Sequence, residues 1–154
     1  MTDLVMVRLY ELMIVIYAIS LVFYFVDYFV KRPHLRRIAF WLVSIVWALQ
    51  SLYLLLYIIE MQRFPILSLY EGILFYSWLL VSLSIILHCI VRVDLPVLVI
   101  YSLGFVFVTI HTFMPKRVTS MVHDNLISEM LFIHIFSAIV AYAIFTLSFV
   151  FSML

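Results

Sequence analysis

The chain has 154 residues, 68% of them hydrophobic and 11% charged, with a formal net charge of +1. Soluble domains average about 45–50% apolar residues, so a soluble core is excluded, and the near-neutral balance leaves neither a basic face for nucleic acid nor an acidic block for a basic partner. The single cysteine, Cys89, rules out an internal disulfide, a CxxC redox pair and a cysteine zinc site, and its expected role is packing.

Crossing about 30 Å of hydrocarbon at about 1.5 Å per helical residue takes about 20 mostly apolar residues. The chain supplies that length five times, at about 4–30, 38–59, 68–91, 95–114 and 127–154. Two glycines, four prolines and no period-two alternation make these helices rather than barrel strands. The expected fold is all-α: a polytopic membrane protein whose residues 1–154 form a single transmembrane domain in the lipid bilayer.

The first span carries Asp3, Arg8 and Glu11 where a secretion signal would have a basic start and a small-residue cleavage site, so it reads as an uncleaved helix. Arg8 and Glu11, three residues apart on one face, are placed to pair. Asp27 lies within reach of Lys31 one turn on, as an interface charge. The connector that follows, Lys31 to Arg37, holds four Lys or Arg. With Arg63, Arg92, Lys116 and Arg117 in the later connectors, positive charge accumulates on the side of the first and third, which places the N-terminus outside.

Ser68-Leu69-Tyr70-Glu71 has the spacing of a capping box, with Pro65 just before it, and the carboxylate sits at the positive end of the helix dipole. The functional alternative is that Glu71 faces an external ligand pocket. His34 and His123 fall in connectors and read as solvated, and His88, one turn before Arg92, reads as a rim residue.

His111, one turn before Met114-Pro115, and His134, inside the fifth span, fall at similar depth on consecutive antiparallel helices. They are candidates for two axial ligands of a b-type haem, or for one ligand and a neighbouring donor. The alternative is a pair of hydrogen-bonded packing histidines. Leu131, Ser137, Ala138, Ala141 and Tyr142 share the face of His134, and Ser137 with Ala141 forms a small-residue pair suited to close helix packing. The last span runs to Leu154 without a basic stop, so the expectation is the front part of a larger bundle.

Two blocks carry a resemblance. Phe64-Pro65, Tyr70-Glu71, Phe75 and Trp78, together with Glu129 to His134 running on through Ser137 to Ala141-Tyr142-Ala143, resemble the CcsA/ResC/HemX family of cytochrome c assembly proteins. The opening Leu4 to Glu11 and Ile110-His111-Thr112-Phe113 resemble most closely the HemX branch. That branch implies a protein of the bacterial plasma membrane that lowers the level of glutamyl-tRNA reductase, and so limits haem synthesis, through contact with the reductase or its quality-control machinery.

The wider family implies a haem-handling component with cytochrome c assembly partners, His134 as axial ligand, and Tyr142, Glu71 and Trp78 around the pocket. The chain stops before the family's WWD segment, so it is expected to be truncated at its C-terminus. A third reading is a structural membrane subunit in which the histidines only bridge helices. No reading supplies a catalytic constellation, and enzyme activity is not expected.

Overall fold

Long apolar stretches without interior breakers form five helices, α1 (Thr2–Val30), α2 (Pro33–Met61), α3 (Leu69–Ile90), α4 (Asp94–Phe113) and α5 (Glu129–Met153). The computed structural model describes residues 2–62, 64–91, 94–114 and 129–154, and among these no strand is present. All five helices are long and apolar enough to cross a membrane. Arg63, Arg92, Lys116, Arg117 and His123 lie outside the described residues.

The basic connector is shorter than its sequence suggests. Instead of starting near residue 38, α2 begins at Pro33, so His34, Leu35, Arg36 and Arg37 belong to its first turns. Proline at the first helical position has its φ already set and loses no hydrogen bond there. The turn is closed by Lys31 at φ 50°, a left-handed conformation that ends α1 as it commonly ends helices. Gln62 at φ 52° ends α2 in the same way.

α1, α2, α3 and α4 pack in a ring, each against its chain neighbour, and α1 against α4 closes it. Met13, Tyr17, Val46, Leu80, Val81, Ile100, Tyr101 and Val108 fill its centre. α5 lies outside the ring, astride α3 and α4, with only Ala143 and Val150 buried among its residues. Phe64, Phe75, Phe132 and Phe136 clamp it at one end, with Phe64 and Phe132 ring centres 5.8 Å apart. The Tyr76 hydroxyl ties it further along to Thr146 Oγ1.

Two small expectations change. Cys89 is exposed rather than packed. Asp27 does not pair with Lys31, whose only bond to it is the helical one from its own N–H to the Asp27 carbonyl. The Arg8–Glu11 pair forms at 2.9 Å, on an exposed surface.

Candidate functional site

Tyr10, Tyr17 and Tyr24 recur every seven residues, so α1 turns all three toward the ring interior. A phenol in an apolar core needs a partner, and each finds one on another helix. Tyr17 donates to the Tyr101 carbonyl at 2.9 Å and stacks on the Tyr101 ring. Tyr101 in turn donates to Ser20 at 3.0 Å. The Tyr24 hydroxyl lies 3.4 Å from His88 Nδ1, and the His88 ring stacks on Phe40, so His88 is held between helices rather than at an open rim. Deeper on α2, Gln50 donates to Ser77, and Ser77 donates to the Gly104 carbonyl at 2.9 Å.

His111 belongs to this seam. It is 1% exposed, its Nδ1 lies 2.6 Å from the Tyr10 hydroxyl, and its ring centre lies 3.9 Å from that of Tyr70. The Tyr10 hydroxyl also donates to the Val108 carbonyl at 3.0 Å. One phenolic hydrogen cannot serve both contacts, so with it on Val108 the imidazole is the Nδ1–H tautomer and donates to the phenol oxygen.

Glu71 is likewise committed to structure. The capping box forms as its spacing predicts: the Ser68 hydroxyl accepts from the Glu71 N–H, and the Glu71 carboxylate accepts from the Ser68 N–H at 3.1 Å. The carboxylate also accepts from the Leu67 N–H and the Tyr57 hydroxyl, at 3.0 and 2.7 Å. These donors explain how a carboxylate can be 2% exposed here. Trp78 turns toward α2, where its Nε1–H donates to Ser51 at 2.9 Å and its ring stacks with Trp47 and Phe75.

A cleft of about 750 Å³ lies where α5 rides over α3 and α4, within the range of cofactor-sized sites. Its floor is Gly72, Ile73, Tyr76 and Phe107, and its α5 wall includes Ile139, Tyr142 and Thr146. A Cβ at Gly72 would make only an ordinary contact with this wall, 3.8 Å from the Ile139 methyl. Of the five candidate residues, Tyr142 alone lines the cleft, and it is 65% exposed. His134 is exposed on α5 one residue before Ile135, which does line it. Ser137 on its face is exposed too.

A haem held between His111 and His134 does not fit this arrangement. His111 is enclosed at 1% exposure with its ring covered by Tyr70, whereas His134 stands open beside the cleft. His134 is the imidazole that could reach iron, with Tyr142 as its neighbour on the wall. The seven-residue spacing of Tyr10, Tyr17 and Tyr24 is the sequence signal of this seam on α1.

No family model matches the chain, and no solved structure matches it. It is 46% identical over 155 residues to Protein HemX of Bacillus subtilis (strain 168), covering 100% of this chain and 56% of that protein. It is 38% identical over 144 residues to Protein HemX of Brevibacillus brevis, covering 94% of this chain and 53% of that one. The chain thus spans about half the length of the curated relatives it matches, and along nearly its whole length it is similar to these HemX proteins.

Proposed function

We propose that this chain acts as a HemX-type membrane regulator of tetrapyrrole biosynthesis, within the wider CcsA/ResC/HemX group, and that it lowers the level of glutamyl-tRNA reductase. The observation that carries this reading is the similarity to two HemX proteins along nearly the whole chain. The fold supports it in a second way. Lys31, Arg32 and Arg37 are exposed together at one end of the bundle, and with the N-terminus outside, that end faces the cytoplasm of a bacterial cell, where the reductase or its quality-control machinery would be met. His111 and Glu71 hold the bundle together, and the proposed mode of action is contact with a partner.

The test is deletion of the encoding gene followed by quantitative immunoblotting of glutamyl-tRNA reductase. The expected outcome is a raised reductase level that returns to normal on re-expression, and an unchanged level overturns the proposal. A second reading, haem handling, is favoured by the cleft of about 750 Å³ with Tyr142 on its wall and His134 open beside it. It is checked by the visible spectrum of the purified protein with added haem.

A further inference from the structure

Where α1 turns into α2, a second cavity of about 230 Å³ is lined by Asp27, Lys31, Arg32, Pro33, Arg36 and Asp94. It shares no lining residue with the α3–α4–α5 cleft. Two of its charges cancel, because Arg36 Nη2 donates to Asp94 Oδ1. That leaves the Asp27 carboxylate and the Lys31 and Arg32 cations in its lining.

Asp27 is 8% exposed, and among the described residues its carboxylate makes no hydrogen bond and no ion pair. Its titratable neighbours at this end are Arg36, Asp94, Tyr24 and His88: Arg36 acts on it through space but pairs with Asp94, and Tyr24 and His88 face each other. Withdrawing a carboxylate from water with no donor in place costs several kcal/mol, so its position in the cavity wall points to a cationic donor that comes from outside the chain. The rest of the lining has the reverse character. At the N-terminus of α2, Arg32 takes the cap position with extended backbone, no side chain caps it, and the first turn holds no acidic residue. The positive end of a helix dipole flanked by Lys31 and Arg32 suits a phosphate.

A ligand that satisfies both the carboxylate and the helix start carries an ammonium and a phosphate close together. The setting selects its source. The cavity lies at the ends of membrane-length helices, and two of the helices that frame it, α1 and α4, also frame an apolar groove of about 330 Å³ running from Phe25 and Phe29 to Leu103 and Val106. That groove offers a place for an acyl chain. We infer that the α1–α2 turn is a headgroup site for a phospholipid bearing a primary ammonium, with the ammonium on Asp27 and the phosphate at Lys31, Arg32 and the start of α2.

The test is native mass spectrometry of the full chain in detergent, titrated with phosphatidylethanolamine, phosphatidylcholine and phosphatidylglycerol of matched acyl chains. The expected result is phosphatidylethanolamine bound about tenfold more tightly than either of the others, the size of one charge-assisted hydrogen bond. Asp27→Asn should erase that preference, and the double variant Lys31→Ala, Arg32→Ala should weaken all three lipids. Phosphatidylglycerol binding best in the wild type would reduce the site to an ordinary basic rim, and equal retention of all three would remove it. Displacement of the lipid by an equal concentration of free phosphoethanolamine would overturn the membrane assignment. Should Asp27→Asn fail to fold, the wild-type ranking and the double variant still decide the matter.

Discussion

The Tyr10 hydroxyl and His111 Nδ1 lie 2.6 Å apart across the α1–α4 interface, inside a cage completed by the Tyr70 ring. This contact joins the first helix to the fourth, the pairing that closes the four-helix ring. Tyr10→Phe removes the donor to the Val108 carbonyl and the acceptor for the imidazole together, while leaving the ring in place. The expected cost is about 1 kcal/mol, that of a lost intramolecular hydrogen bond, since the Val108 carbonyl keeps the Thr112 hydroxyl. Thermal unfolding in mild detergent should show a lower midpoint, and an unchanged one would mean that the imidazole finds another partner at no cost.

Gly104 exists for Tyr17. A Cβ at position 104 would stand 2.5 Å from the Tyr17 hydroxyl oxygen, and that hydroxyl is fixed by its bond to the Tyr101 carbonyl. Gly104→Ala is therefore expected to destabilise by about 1–3 kcal/mol, as overpacking does. Tyr17→Phe should cost less, and the double variant should be more stable than the sum of the two losses requires, because the phenylalanine frees the space the methyl needs. Strict additivity in a double-mutant cycle would show that the clash is relieved elsewhere. Gly72→Ala, with only an ordinary contact to Ile139, should be neutral or gain up to about 1 kcal/mol from helix propensity.

The spans and the Ser68–Glu71 cap were legible because they rest on local rules: run length, and a side-chain spacing that closes within one turn. The side each helix turns inward was not, since lipid and protein interior are both apolar and the usual contrast between faces is muted. His111 and His134 sit at similar depth in the sequence, yet one is enclosed by Tyr10 and Tyr70 and the other faces outward, a distinction made by tertiary contacts alone. The start of α2 was misplaced for a related reason. Its charged first turns look like loop by composition, but Pro33 is a good first helical residue. The lone Asp27 carboxylate was also beyond reach, because Arg36, the cation nearest in role, is taken by Asp94 from another helix.

The capping box makes a graded prediction. Ser68→Ala removes one acceptor from the start of α3 and should cost about 1 kcal/mol. Glu71→Ala removes the acceptor used by the Leu67 and Ser68 N–H groups and the Tyr57 hydroxyl at once, so its cost should be clearly greater, with Glu71→Gln in between because one amide oxygen survives. Unfolding midpoints of the three variants should fall in that order. If Ser68→Ala proved as damaging as Glu71→Ala, the carboxylate's contacts beyond the box would count for little.

Separating the two histidines tests the haem-handling reading more sharply than haem binding alone. His111 is a bundle residue, so His111→Ala should lower the unfolding midpoint while leaving any haem-dependent visible spectrum in place. His134 is exposed and supports no described packing, so His134→Ala should leave the midpoint within about 0.5 kcal/mol of wild type, as surface substitutions do, and should abolish a sharp reduced b-type spectrum. Tyr142→Phe keeps the cleft wall and should alter that spectrum less than His134→Ala. Loss of the spectrum in His111→Ala with retention in His134→Ala would reverse the assignment, since it would require the Tyr10–His111–Tyr70 cage to open for iron. Absence of any haem spectrum in the wild type would remove the cleft as a haem site and leave the regulatory reading to stand on the reductase level alone.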